Sequence, residues 1–109
     1  MNLYLDDVRP APAGWTLART IAEAQAHLEL GGVDLLSLDY DLGACDECIR
    51  TDPWCAGRLG CAHVENGLAL VVWMVDTGHW PRERPLVHSA NPSGREQMLA
   101  MIYREWDAR

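Results

Sequence analysis

Polar side chains follow three short apolar runs of the sequence, at the point where each run ends. They are Asp6 and Asp7 after the run "LYL", Asp39 and Asp41 after "LLSL", and His88, Ser89 and Asn91 after "LV". Carboxylates that lie close together repel one another unless they bind a cation or share protons. An imidazole changes its charge near neutral pH and is therefore suited to proton transfer. These residue types indicate a metal site, an acid–base site, or both.

A second group of reactive side chains follows the third apolar run. Its spacing is C-x2-C-x6-C-x5-C-x-H, and its members are Cys45, Cys48, Cys55, Cys61 and His63. C-x2-C is a frequent spacing of zinc ligands, and Zn²⁺ takes four sulfur or nitrogen ligands in a tetrahedron. A short segment of this composition cannot form its own core, so a bound metal would supply the folding energy. We expect a zinc-knuckle-like insertion over residues 44–64, with Cys45 and Cys48 as the firmest ligands and Cys61 next.

Two other interpretations of the cysteines are open. An even number of cysteines also fits disulfides, but these are typical of secreted proteins. The first residues, "MNLYLDDVRP", carry aspartates where a signal peptide would be basic, which favours a cytoplasmic protein. A redox C-x-x-C centre would be expected between a strand and a helix of a thioredoxin-like unit, and this segment lacks that placement.

Length and charge limit the classes of function. The 109 residues fit one domain, and 49% of them are hydrophobic, as in ordinary globular proteins. The net charge is −7, and all nine basic residues are arginines. Such a chain has no basic stripe for an extended nucleic-acid surface, although one or two arginines can hold a small phosphate-bearing ligand. The longest apolar run, "GLALVVWMV", reaches about half the length of a bilayer span, so we expect no membrane insertion.

The elements that must position these residues alternate between strands and helices. The predicted strands are "NLYLDD", "WTLART", "VDLLSLDYDLG" and "RPLVHSAN", and the predicted helices are "IAEAQAHLEL", "NGLALVVWMVDTG" and "PSGREQMLAMIYREW". Thr20 and Glu23 form a capping-box pattern at the first helix, and Gly31 follows its end. This alternation predicts an α/β domain over residues 1–109, with a mostly parallel sheet covered by helices on both faces. The carboxyl ends of parallel strands form one edge, so the polar residues above should meet there.

Three stretches carry a resemblance to a known family. "LYLDDVRPAPAGW", "SLDYDLG" and "VHSANPSGREQM" resemble the cyclic-phosphate processing receiver-like family, which is related to two-component receiver domains. The resemblance spans nearly the whole chain, with the cysteine segment as an insertion. The family pattern, transferred residue by residue, covers Asp6, Asp7, Arg9, Asp39, Asp41, His88, Ser89, Asn91 and Arg95. This chain departs from it at Tyr40, which replaces the histidine of a D-H-D-L run.

The resemblance implies a receiver-like, flavodoxin-like fold and hydrolysis of cyclic phosphates on nucleotides or RNA ends. Arg9 and Arg95 would hold the phosphate, with Ser89 and Asn91 orienting the substrate. Asp39 or Asp41 would activate water and His88 would transfer protons, while Asp6 and Asp7 complete a carboxylate cluster that suits Mg²⁺. The C-x-H pair is similar to that of relatives and favours His63 as the fourth zinc ligand, with Cys55 as the alternative.

The sequence is also compatible with other functions. Tyr40 leaves room for a non-catalytic module that binds phosphorylated ligands or regulates a partner. Phosphoaspartyl signalling through Asp39 is disfavoured, because receivers use a lysine that this chain lacks. Purely structural roles are open as well: Asp7 as a turn cap, Arg9 as an ion-pair partner, and His88 as a buried histidine. Ser89 and Asn91 are also common turn and helix-start residues.

Overall fold

A computed structural model describes residues 1–42 and 65–109, so the predicted zinc insertion and its five candidate ligands lie outside the described residues. The described elements, in chain order, are β1 (Asn2–Leu5), β2 (Trp15–Ala18), α1 (Ile21–Leu30), β3 (Leu35–Leu38), β4 (Asp41–Leu42), β5 (Glu65–Asn66), α2 (Gly67–Thr77), β6 (Leu86–Val87) and α3 (Pro92–Asp107). None of these helices is long and apolar enough to cross a membrane.

The main sheet has four parallel strands in the order β2-β1-β3-β6. The predicted receiver-like α/β fold with a parallel four-stranded sheet is therefore confirmed. The predicted third strand, "VDLLSLDYDLG", runs on through Leu42, whereas the structure divides it into β3 and β4. The antiparallel pairing of β4 with β5, with Asp41 opposite Asn66 and Leu42 opposite Glu65, was not predicted. This pair joins the chain on either side of residues 43–64.

The described helices lie on one face of the sheet, so the expectation of helices on both faces is wrong for this part of the chain. Alternate strand residues point to opposite faces, and the core contains the alternating pairs Leu3 with Leu5 and Leu36 with Leu38. Buried residues of all three helices complete the same core. The β1–β2 connection carries no helix, because its "RPAPAG" stretch lacks helical periodicity and contains two prolines.

Asparagine and threonine side chains fix where the helices begin. Thr20 accepts a hydrogen bond from the Glu23 backbone N–H at 3.2 Å, which confirms it as the cap of α1. Asn66 accepts from Ala69 N–H at 3.2 Å at the start of α2. Asn91 accepts from Gly94 N–H at 3.0 Å, directly before Pro92 at the start of α3. These caps satisfy backbone donors that have no partner within their own helices.

Candidate functional site

The sheet brings three polar residues together where β1, β3 and β6 end. Hydrogen bonds join Asp6 N–H to Ala18 at 3.1 Å, Asp39 N–H to Leu5 at 3.0 Å, and His88 N–H to Leu38 at 3.1 Å. Each residue thus extends the pairing of its strand by one step. Their side chains, together with that of Arg9, form what we call the Asp–His–Arg cluster: Asp6, Arg9, Asp39 and His88.

Asp6 is the buried centre of this cluster, with no exposed surface. Its Oδ1 accepts hydrogen bonds from the backbone N–H groups of Val8 at 2.9 Å and Arg9 at 2.8 Å. Its Oδ2 lies 3.2 Å from Arg9 Nη1 and 3.0 Å from His88 Nε2. Burial alone raises the pKa of Asp6, but these hydrogen bonds outweigh it and hold the pKa below its ordinary value of 3.8. Asp6 is therefore ionised near neutral pH.

Arg9 connects the two carboxylates at the strand ends. Its Nη1 lies 3.2 Å from Asp6 Oδ2 and 4.0 Å from Asp39 Oδ2, and it donates to the His88 carbonyl at 3.2 Å. The Arg9 side chain is nevertheless 44% exposed, whereas that of Asp39 is 9% exposed. The guanidinium can therefore meet a ligand from solvent while it compensates the buried carboxylates. One guanidinium against two carboxylates leaves this part of the site net negative.

His88 has protein partners on both ring nitrogens. Its Nε2 faces Asp6, and its Nδ1 lies 2.7 Å from Ser37 Oγ. The ring also stacks on Tyr4, with 4.1 Å between centroids and 6° between planes. Burial lowers the pKa of His88 below its ordinary value of 6.5, and the opposing hydrogen bond to Asp6 does not outweigh it. In this arrangement a neutral imidazole lies beside an ionised carboxylate.

The other predicted site residues lie around the cluster and not within it. Asp41 Oδ2 lies 3.4 Å from Asn91 Nδ2, and Ser89 Oγ accepts from Asn91 N–H at 3.1 Å. Arg95 is exposed in the first turn of α3, where its N–H donates to the Asn91 carbonyl. Asp7 is half-buried next to Asp6. The structure thus joins four predicted residues closely and places the remaining five on the segments that border them.

The carboxylates and the imidazole of the cluster can hold a metal ion. One ligand atom each of Asp6, Asp39 and His88 lie within 4.8 Å of one another. The two carboxylates suit Mg²⁺, which prefers oxygen ligands, and a set that includes the imidazole suits Mn²⁺ or Zn²⁺ better. Because Arg9 and His88 already contact Asp6 Oδ2, a bound ion would have to replace one of these contacts.

Tyr40 has a packing role where the family pattern has histidine. A Cβ atom built on Gly94 would collide with the Tyr40 ring, so the tyrosine lies directly against the first turn of α3. The Tyr40 carbonyl accepts the N–H of Gly67 at 2.8 Å and so anchors the start of α2. Tyr40 therefore joins the end of β3 to two helices.

Three residues that hold the site were not found from the sequence. Ser37 and Tyr4 contact the His88 ring, and Arg19 Nη1 donates to the carbonyls of Asp6 at 3.3 Å and Arg9 at 2.9 Å. Strand alternation could have revealed Tyr4 and Ser37, since each lies two residues before a predicted site aspartate and so shares its face. Arg19 gave no comparable signal, because its partners are backbone carbonyls.

Comparison with family models yields a match over residues 1–104, to a family described as the cyclic-phosphate processing receiver domain. Separate comparisons with curated proteins and with solved structures each found no match. The match covers every described element through most of α3 and includes the whole cluster. The description of the family indicates a role in cyclic-phosphate processing. The chain belongs to the cyclic-phosphate processing receiver domain family.

Proposed function

We propose that this protein hydrolyses cyclic phosphodiesters on nucleotides or RNA ends at the Asp–His–Arg cluster. The observation that carries the proposal is the meeting of two buried carboxylates, an imidazole and a half-exposed guanidinium at the carboxyl ends of three parallel strands. Opening a cyclic phosphate needs a group that binds the phosphate, a base for water and a proton donor for the leaving alkoxide. The cluster contains a residue suited to each of these tasks.

In the proposed reaction, Arg9, whose side chain is 44% exposed, binds the phosphate through its guanidinium. Asp39 accepts a proton from water, whose oxygen forms a bond to phosphorus as the P–O bond to one sugar oxygen breaks. The imidazolium form of His88 gives its Nε2 proton to the departing sugar oxygen. The product is a phosphomonoester with a free hydroxyl, and exchange with solvent restores the protonation of Asp39 and His88.

For this transfer, the Nε2–H of His88 has to turn from Asp6 to the ligand. Asp6 can release it without losing all its partners, because the backbone N–H groups of Val8 and Arg9 and the Arg9 guanidinium still donate to its carboxylate. Asp6 then remains ionised beside the imidazolium and stabilises it. This supports a role for Asp6 in orienting the imidazole and a role for His88 in transferring the proton to the ligand.

A divalent ion held by Asp6 and Asp39 would add positive charge that stabilises the phosphate oxygens. The magnesium site predicted from the sequence is kept here as part of the proposal. Asp7 and Asp41 are proposed as bordering carboxylates, while Ser89, Asn91 and Arg95 are proposed to contact the ligand outside the cluster. The segment over residues 44–64 is proposed as a zinc-binding insertion within a single domain of residues 1–109.

A second function, ligand binding without turnover, is favoured by one observation. Both nitrogens of His88 are bonded inside the protein, so the imidazole is satisfied without any substrate. A regulatory module would bind the same cyclic phosphates through Arg9 and release them unchanged. The two functions share a ligand class and differ only in whether product forms.

The test is a panel of cyclic nucleotides and RNA oligomers with cyclic phosphate ends, incubated with and without Mg²⁺ or Mn²⁺. We expect ring opening, and a loss of ~10²–10⁴-fold in kcat for Asp39→Asn and for His88→Gln. The matched controls are Asp107→Asn, which changes an exposed residue, and His27→Gln, which changes a half-buried one; both residues lie outside the cluster. Arg9→Ala should mainly raise KM, with Arg104→Ala as its control. Binding without product would favour the regulatory module, and neither binding nor product would contradict both functions.

A further inference from the structure

The orientation of the His88 ring is not determined by its packing. Imidazole keeps nearly the same shape when it turns by half a rotation about the bond to Cβ, so hydrogen bonds decide which nitrogen lies on which side. Tyr4 stacks on the face of this ring at 4.1 Å with 6° between the planes. This contact fixes the plane of the ring but allows both orientations.

Two hydrogen bonds do depend on the orientation. Asp6 Oδ2 lies 3.0 Å from Nε2, and Ser37 Oγ lies 2.7 Å from Nδ1. In a ring turned by half a rotation, carbon atoms would replace both nitrogens and both bonds would be lost. Ser37 is only 7% exposed, so water would not readily replace the partner of its hydroxyl.

The same contacts place the proton. An ionised carboxylate only accepts hydrogen bonds, so Nε2 has to carry the hydrogen that Asp6 accepts. The Nδ1 of the neutral ring is then an acceptor, and the Ser37 hydroxyl donates to it. When the ring is doubly protonated, the same hydroxyl can turn and accept from Nδ1–H. Ser37 is therefore a suitable partner for both forms of His88.

We infer that Ser37 is a positioning residue, which holds His88 with its Nε2–H directed towards Asp6. The catalytic consequence of this inference rests on the proposed function, but the orientation of the ring does not. A role for Ser37 as a nucleophile conflicts with its place, because it lies two residues before Asp39 within β3 and is nearly buried. Its hydroxyl is also engaged with the Nδ1 of His88.

The experiment compares the wild type with Ser37→Ala and Ser37→Thr, and uses Ser93→Ala as a matched control on the exposed start of α3. Proton–nitrogen correlation spectra report the protonation of each imidazole nitrogen, and a His88→Gln variant assigns the His88 signals. The second readout is kcat and KM on whichever cyclic phosphate the wild type opens. The spectra need no turnover, so they decide on Ser37 even if the proposed activity is absent.

We expect a single His88 form in the wild type, with hydrogen on Nε2 and none on Nδ1. Ser37→Ala should shift the Nδ1 signal or add a second form, and should lower kcat by about 10- to 100-fold with little change in KM. Ser37→Thr, which keeps the hydroxyl, should restore both. Unchanged His88 signals in folded Ser37→Ala would overturn the inference. If Ser37→Ala does not fold, Ser37→Cys, with a thiol of similar size that bonds weakly, replaces it under the same criterion.

Discussion

At the scale of single residues, the site is a set of mutually compensated charges. Asp6 has four donors around its two oxygens, and Arg9 lies between it and Asp39. Buried charges are costly unless such partners surround them. The charges of the cluster are consequently compensated before any ligand arrives, and the proposed reaction then needs the His88 Nε2–H to pass from Asp6 to the ligand.

Tyr40 offers a prediction at this scale. Because its ring packs against Gly94, Tyr40→His should remove packing and lower the free energy of unfolding by ~1–2 kcal/mol without raising kcat. Urea unfolding and turnover of a cyclic nucleotide measure the two effects. Tyr103→His on the exposed side of α3 is the control, since it makes the same exchange away from the site. A rise in kcat would mean that residue 40 takes part in the chemistry, as the histidine of the family pattern would.

At the scale of elements, the start of α2 lies unusually close to the site. A Cβ atom on Gly67 would collide with the Asp39 carbonyl and would come within 2.9 Å of Met98 Sδ. Only glycine therefore allows α2 to begin against the strand end that carries Asp39. The close approach of Gly67 to the Asp39 carbonyl thus belongs both to the start of α2 and to the site.

Gly67→Ala should therefore destabilise the fold by ~1–3 kcal/mol, because backbone atoms and not a flexible side chain would have to move. The usual effect of alanine in a helix is the opposite, a gain of up to about 1 kcal/mol over glycine. Thermal unfolding measures the change. Ser93→Ala in the first turn of α3 is the control and should be nearly neutral. A stabilised Gly67→Ala variant would contradict this account of the contact.

The predicted zinc insertion is tested by metal analysis. Protein purified under reducing conditions without chelator should contain about one equivalent of zinc. Cys45→Ser or Cys48→Ser should remove the metal, because a structural site rarely tolerates the loss of a ligand. Retention of zinc by Cys55→Ser but not by His63→Ala would identify His63 as the fourth ligand. Zinc-free wild-type protein would exclude the site.

Sequence patterns predicted the site residues at the strand ends better than they predicted the residues that hold those side chains in place. Asp6, Asp39 and His88 follow apolar runs, and parallel strands necessarily bring such positions to one edge. Ser37 was overlooked: strand alternation places it on the same face as Asp39, but its partner is a ring that lies 51 residues away in sequence, which no local pattern identifies. The expected second helical layer is missing from the described residues for a different reason: their β1–β2 connection is a proline-rich loop and not a crossover helix.

At the scale of the whole molecule, folding is linked to pH through the buried pair. The folded-state pKa of His88 lies below its ordinary value of 6.5, so below that pH the unfolded state binds more protons than the folded state. The contribution of His88 to the free energy of unfolding is therefore fully present above pH 6.5 and is lost as the pH falls. The pKa of Asp6 is also lowered, so its contribution is lost at more acidic pH, as the pH falls below 3.8.

We therefore expect the free energy of unfolding to decrease from about pH 7 to about pH 5, with a share of this decrease due to His88. His88→Gln should lose that share of the decrease. His27→Gln, which changes a half-buried histidine on α1 outside the cluster, should retain it. Urea unfolding across this range checks the prediction. Identical pH dependence in the wild type and His88→Gln would show that the buried imidazole does not contribute.

In the proposed reaction, water opens a cyclic phosphodiester at the cluster. The most direct measurement follows phosphorus spectra of a 2′,3′-cyclic nucleotide that is incubated with the protein in water enriched in heavy oxygen. We predict that the wild type forms a phosphomonoester with one labelled oxygen on phosphorus, and that Asp39→Asn loses this activity while Asp107→Asn keeps it. An unchanged cyclic nucleotide at every metal condition, or equal product from Asp39→Asn and the wild type, would contradict the account.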